Sequence, residues 1–319
     1  MEGDLMGCVL GIDVGGTSIK AGVFTTEGEL LDVKKIPTGD LADPKTFARV
    51  NDGLTELIQS RGFACEDVIA VGLDVPGPVD DQGKVGMLVN ISLDADGLQD
   101  AIRSTFTNAA LAFVNDANAA ALGELWRGSA MGKDSFVMVT LGTGVGGGVV
   151  AGGKLVSGSV GAGGEIGHIT VCEDEELVCG CGRRGCLEQY ASATGIVRLY
   201  QRECAARGVE GAKVEHATDT LTVFKACRDG DEAAAAAIKT MSDRLGFALA
   251  QISSIVDPSC YLIGGGVAGG FDLFCDDLHE AYKKYCIAPC AQTPIVACKL
   301  GNEAGMYGVA YAALQEATE

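Results

Sequence analysis

Basic residues are scarce in this sequence. Against 43 aspartates and glutamates stand 24 lysines and arginines, a net charge of −19 over 319 residues. Phosphate backbones repel such a chain at long range, which disfavours a nucleic-acid-binding surface. Aromatic residues are sparse too, at 6 %, while the apolar share is 47 % and 46 residues are glycine. That balance suits a soluble α/β protein with a core of small and branched aliphatic side chains. A long unbroken hydrophobic helix is also missing. Residues 137–153 are apolar and uncharged, but seven glycines interrupt them, so they read as strand, turn and strand instead of a membrane span. The opening MEGDLMGCVLGID has neither a basic region nor a long apolar stretch, so no signal peptide is expected. The odd count of 13 cysteines then points to a reducing cytoplasm, with thiols free or metal-bound. The length accommodates two domains, each with a core of its own.

The densest chemistry lies in residues 163–188, GGEIGHITVCEDEELVCGCGRRGCLE. His168, Cys179, Cys181 and Cys186 are four ligands able to close a tetrahedral zinc site, and no open position remains for catalysis at the metal. Buried cysteines are often only small apolar groups. Here the C-x-C-x4-C spacing, the upstream histidine and the intervening glycines favour a structural zinc site. A DNA-reading finger would need a basic helix after the cysteines, and only Arg183 and Arg184 are basic there. Such a metal site would draw Glu165 and Glu188 towards one place.

Earlier in the chain, residues 9–24 (VLGIDVGGTSIKAGVF) read as two apolar strands around a glycine turn. The backbone amides of Gly15, Gly16 and Thr17 can approach a phosphate closely, and Asp13 can hold a hydrated Mg2+ ion. No Gly-Lys-Ser/Thr opens a helix, so this is not a Walker loop, and a plain β-hairpin is the alternative. Residues 136–150 (FVMVTLGTGVGGGVV) repeat the pattern, with Gly142, Thr143 and Gly144 at the turn. Two such hairpins suggest two similar domains serving one set of phosphates.

Between the hairpins, residues 46–61 have helical spacing after Pro44, and residues 68–75 form an apolar strand that runs into Pro76-Gly77-Pro78. Residues 111–114 form a further strand, with Asn115-Asp116 at its end and a helix over 117–126. Asp116 therefore stands at a strand-to-helix junction, where α/β sheets gather ligands and where an N-cap residue also belongs. Beyond the cysteines, residues 221–228 and 231–256 are helical. Residues 260–263 form a strand leading into Gly264-Gly265-Gly266, and residues 301–314 form a helix that returns to the first domain.

GIDVGGTSIKAGVF, VPGPVD, NDANAAALGE, LGTGVGGG, GGEIGH and CGCGRRGCLE occur in the order seen in the ROK family of sugar kinases and related repressors, and the chain resembles that family from Gly11 to Gly308. The resemblance implies a two-domain actin-like ATPase (ribonuclease H-like) α/β fold with ATP and sugar in the interdomain cleft. Residues 1–118 with the helix 303–319 would make a small domain, and residues 119–302 a large one carrying zinc. It further implies phosphorylation of a hexose at its primary hydroxyl by ATP, with Asp116 as general base. Glucose is the first expectation; N-acetylmannosamine, N-acetylglucosamine, mannose and fructose are the alternatives. The resemblance places Gly77, Asn90, Asn115, Asp116, Glu165, His168 and Glu188 at the sugar, although Ile-Ser-Leu follows Asn90 where relatives often carry tryptophan. It places Asp13, Gly15, Gly16, Thr17, Lys20, Gly142, Thr143, Gly144, Gly265 and Gly266 at Mg2+ and ATP. His168 would hold zinc through one ring nitrogen and face the sugar with the other. A cytoplasmic homodimer with no nucleic-acid or membrane partner completes the expectation. Repressors of the family add an N-terminal DNA-binding arm, which is not expected here because the first hairpin begins near residue 9.

Overall fold

The computed structural model of the protein describes residues 7–80, 82–86 and 93–318. In chain order the first elements are β1 (Cys8–Val14), β2 (Ser18–Phe24), β3 (Leu30–Pro37), α1 (Pro44–Gln59), β4 (Val68–Val75), α2 (Ala95–Thr105), β5 (Ala110–Asn115) and α3 (Asp116–Arg127). Next come β6 (Phe136–Leu141), β7 (Val145–Ala151), the two-residue β8 (Lys154–Leu155), α4 (Glu188–Ala191), α5 (Ala193–Arg207), α6 (Thr220–Arg228) and α7 (Glu232–Val256). The chain finishes with β9 (Tyr261–Gly264), α8 (Phe271–Tyr285), β10 (Ile295–Ala297) and α9 (Ala304–Thr318).

The chain divides into two compact units. One holds Met1–Gly132, Leu155–Gly163 and Lys299–Glu319; the other holds Lys133–Lys154 and Gly164–Cys298. Sequence reasoning sets the first boundary after residue 118, whereas the contacts set it after Gly132. The reason is that α3 packs along α9. Gly123 and Gly308 let these two helices approach until their backbones touch, and a Cβ on Gly308 would sit 1.6 Å from the Ala119 carbonyl oxygen. Helix α9 also crosses the sheet: a Cβ on Gly72 would meet the Val309 carbonyl oxygen at 1.8 Å.

The described residues form two five-stranded sheets with a common plan. The first runs β3-β2-β1-β4-β5 and the second β10-β9-β6-β7-β8. In each, an antiparallel hairpin (β1–β2, β6–β7) is joined to two further parallel strands (β4 and β5, β9 and β10). The central strands are near-continuous apolar runs because both their faces are covered. In the first unit Leu10, Ile12, Leu54, Ile58, Val71 and Leu73 share one core. In the second, Val137, Val139, Ile196, Met241, Leu245, Leu249 and Ile263 share another. The buried face of α7 is thus part of this core. Residues 137–153 lie in the β6–β7 hairpin, and among the described residues no helix is long and apolar enough to cross a membrane.

Candidate active site

In the first unit, Gly15-Gly16-Thr17 joins β1 to β2, with Gly15 N–H donating to Ser18 O at 3.2 Å. Thr38 at the end of β3 braces the turn, its Oγ1 donating to Gly15 O at 2.6 Å. Gly16 and Thr17 are exposed, and Asp13 is half-buried just before them. Burial raises the Asp13 carboxyl above its ordinary range; Lys20, its cross-strand partner, pulls it back down, and the Asp116 charge adds to the rise. Lys20 Nζ itself donates to Asn302 O at 3.1 Å.

Strand β5 delivers Asn115 and Asp116 to the start of α3. The sequence allows Asp116 to be the helix cap, but Asn115 does that work. Its Oδ1 accepts from Ala117 N at 3.0 Å and Asn118 N at 3.2 Å, and its Nδ2 donates to Gly77 O at 3.0 Å. Two residues expected at the sugar, Asn115 and Gly77, are therefore in direct contact. Asp116 is left in the first helical turn with an open side chain, its Oδ1 accepting from Ala117 N at 2.9 Å. Surrounding protein desolvates its carboxyl enough to raise the pKa, against a downward pull from the Ala117 amide. Asn90, expected beside them, lies outside the described residues.

Sequence reasoning passes over Asp74. This residue is 2 % exposed, and its Oδ1 accepts from Val14 N at 2.7 Å. The signal was present as a single acid inside the apolar run VIAVGLDV, where an unpaired carboxylate is costly to bury.

In the second unit, the turn Gly142-Thr143-Gly144 is closed by Gly142 N–H donating to Gly144 O at 2.9 Å. Strand β9 lies parallel to β6, and this brings Gly265 against the same hairpin. Its φ of +82° suits glycine, and a Cβ there would be 2.4 Å from Leu141 O. The glycine turn Gly265-Gly266 and the second hairpin thus meet. The first residues of α5 also touch the turn, through Ala193 N–H donating to Gly142 O at 2.8 Å.

Beside this hairpin, ligand atoms of His168, Cys179, Cys181 and Cys186 all lie within 4.8 Å of one another. Cys181 Sγ and Cys186 Sγ are 3.6 Å apart, and Cys179 Sγ and His168 Nδ1 are 3.9 Å apart. A tetrahedron with Zn–S arms of about 2.3 Å has edges of roughly 3.7 Å, so the set fits zinc. Burial and the neighbouring thiols push Cys186 up to about 12, a resistance to ionising that a dication would reverse. The other ring nitrogen, His168 Nε2, faces Glu165 Oε2 at 3.9 Å. Glu188 joins the cluster to the hairpin: Oε1 lies 3.7 Å from Cys179 Sγ, and Oε2 accepts from Val145 N at 3.2 Å.

The loop that carries these ligands is pinned by side chains absent from the sequence reading. Gln189 accepts from Cys186 N at 3.1 Å and donates to Leu177 O at 2.9 Å. Buried Glu175 takes both arms of Arg202 at 3.0 and 3.2 Å, and the hydroxyl of Tyr190 at 2.8 Å. Gly185, at φ +69°, lets the chain double back so closely that a Cβ would meet Cys172 O at 1.6 Å.

Known proteins share this architecture along its whole length. The chain is 37 % identical over 312 residues to a glucokinase of Halalkalibacterium halodurans, covering 94 % of this chain and 92 % of that one. Among solved structures, a ROK family glucokinase from Streptomyces griseus in complex with glucose and AMPPNP superposes with a TM-score of 0.76. It is 34 % identical and is covered in full by 97 % of this chain. A ROK hexokinase from Thermus thermophilus reaches a TM-score of 0.82 at 31 % identity, over 98 % of this chain and 99 % of that one. These neighbours carry the actin-like ATPase fold, and this chain shares it. Because the ROK family model matches residues 9–316, a span that takes in both glycine hairpins, Asp116 and the His/Cys cluster, the chain belongs to the ROK family.

Proposed function

We propose that the protein is a hexose kinase of the glucokinase type, transferring the γ-phosphoryl group of ATP to the primary hydroxyl of glucose. The observation that carries this reading is the division of labour at the head of α3. Asn115 caps the helix and holds Gly77, and the Asp116 carboxylate is left open in the same unit as the Gly15–Thr17 turn. In the proposed step the sugar oxygen forms its bond to the γ-phosphorus as the bond from that phosphorus to the β-bridging oxygen breaks. The hydroxyl proton passes to Asp116. A positioned base of this kind contributes about 10²–10⁴-fold, and positioning with charge neutralisation supplies the remainder.

Backbone donors of Gly15, Gly16, Thr17, Gly142, Thr143 and Gly144, with Lys20, are assigned to the phosphates, and Gly265 and Gly266 to the adenosine. Asp13 would hold Mg2+ through water, and that ion supplies positive charge to the phosphoryl oxygens. Asn115, Asp116, Glu165, His168 and Glu188 are assigned to the sugar hydroxyls, with Gly77 and Asn90 at the edge. His168, Cys179, Cys181 and Cys186 would hold a structural zinc ion. With Nδ1 turned to the cysteines, His168 is left with Nε2 for Glu165 and the sugar. A cytoplasmic homodimer belongs to the same reading and rests on the family resemblance.

The test is ATP-dependent phosphorylation across glucose, mannose, fructose and the N-acetylhexosamines, with Asp116→Asn as control. Glucose turnover that the control loses, with sugar binding kept within an order of magnitude, is the expected result. Preference for an N-acetyl sugar would move the substrate and keep the mechanism. Absence of turnover on any sugar by folded, zinc-loaded protein would refute the kinase reading and leave a sugar-sensing regulator.

A further inference from the structure

Strand β4 carries one charged residue, Asp74, and buries it. On one flank β4 pairs with β1 in parallel through Ile12↔Leu73; on the other it pairs with β5 through Asp74↔Val114 and Val75↔Asn115. Val14 lies beyond the last paired position of β1 on the β4 side, where its amide needs another acceptor. Asp74 Oδ1 provides it at 2.7 Å. Val14 is followed directly by Gly15 of the phosphate turn, and Val114 is followed by Asn115-Asp116. Asp74 therefore sits between the strand that presents the turn and the strand that presents the base.

A third element closes the site. A Cβ on Gly305, in the first turn of α9, would stand 2.8 Å from Asp74 Oδ2 and 3.8 Å from the Asp13 carboxyl. Glycine at this position leaves room for the Asp74 carboxyl beside the helix start, and the positive end of the helix dipole offsets nearby negative charge. Burial and the nearby Asp13 charge still hold the Asp74 carboxyl well above the usual carboxylate range. A residue kept at such expense, with a hydrogen bond to the turn's leading strand, is not filler.

We infer that Asp74 is a positioning residue for phosphoryl transfer: by fixing the Val14 amide it sets where the Gly15-Gly16-Thr17 turn lies with respect to Asp116. The inference rests on the kinase reading. It requires an acceptor oxygen at this place, so Asp74→Asn keeps the function and Asp74→Ala loses it, leaving a buried amide unpaired.

Two readouts test this on the full-length protein. The first is amide hydrogen exchange at Val14; the second is kcat with the KM values for glucose and ATP. In Asp74→Ala, exchange at Val14 should accelerate and kcat should fall about tenfold to a hundredfold, the range expected for one unsatisfied buried group. The KM for glucose should stay within about threefold, since the turn does not hold the sugar. Asp74→Asn should restore Val14 protection and most of kcat. Unchanged exchange and kcat in Asp74→Ala would overturn the inference. So would a folded Asp74→Asn variant whose kcat falls about tenfold or more below wild type, and this arm decides the matter even where Asp74→Ala does not fold. If the wild type turned over no hexose, the kinase reading would fail by itself, and exchange at Val14 would still decide whether Asp74 holds the turn.

Discussion

Replacing Glu175 by glutamine removes one negative charge from the loop that carries the His/Cys cluster and should loosen that loop measurably. Glu175's side chain is 2 % exposed, and Arg202 supplies its main stabilisation, joined by Leu177 N and the Tyr190 hydroxyl. Together these hold its carboxyl down from 4.5 to about 2. That interval corresponds to ~3 kcal/mol of preference for the ionised form in the folded state. Arg202 is 46 % exposed, so water screens its side of the pair. Glutamine keeps one acceptor oxygen, which can still take Leu177 N, while its amide nitrogen faces the Tyr190 hydroxyl. We therefore expect Glu175→Gln to cost about 2 kcal/mol at pH 7. The sign follows from the depressed pKa. The contribution is complete above the unfolded value of 4.5 and is lost as pH falls from there towards about 2, so the wild type should converge on the variant in acid. Urea unfolding at pH 7 and pH 3 measures this. The single tryptophan, Trp126, lies in α3 of the first unit, so far-UV circular dichroism is the signal to follow for α4–α8 in the second. The proposed zinc ion should also pass to a chromogenic chelator faster in the variant. A stability gap between wild type and variant that stays constant from pH 7 to pH 3 would refute the electrostatic account.

Three further outcomes are expected. As the proposed base Asp116 must be ionised to accept a proton, and desolvation by the surrounding protein raises its pKa, so kcat/KM should fall with acid through a value above that of a free aspartate; an acid limb at the ordinary value would refute this. Chelating the metal, or Cys181→Ser, should lower melting temperature and glucose affinity together, and full affinity in stable zinc-free protein would break that link. Gly308→Ala would drive a methyl group into Ala119 O and should cost about 3 kcal/mol or more by thermal denaturation, because α3 and α9 must part; a melting temperature equal to wild type would contradict the packing.

How much of this was legible in advance depended on whether a residue's partner was near it in sequence. Hairpins announce themselves locally, so the two glycine turns and their flanking strands could be read from residues 9–24 and 136–150. The His/Cys set was legible for the same reason, since spacing alone brings its four members within reach. The strand-to-helix junction at Asn115-Asp116 was visible too, but which of the pair would cap α3 was not. Both side chains can cap, and the choice was made by Gly77, 38 residues earlier, whose carbonyl takes the Asn115 amide. Helices α2, α5 and α8 escaped notice among mixed polar and apolar residues. Their stripes are short, and they are stabilised by packing more than by propensity.

Asp74 and Glu175 were out of reach for a deeper reason. Each is a buried acid whose meaning lies in a donor on another element: Val14 is 60 residues from Asp74, and Arg202 is 27 from Glu175. In the sequence such residues are visible only as anomalies, an acid in an apolar strand or one acid among several in EDEE. Pairing of β1 with β4, and packing of the His/Cys loop on α5, turn each anomaly into a partner. The residues that would carry chemistry were readable because phosphates and metals impose local patterns on the chain that holds them. Residues that hold those groups in register obey only the fold, so a lone charge in a core strand is the clue worth following first.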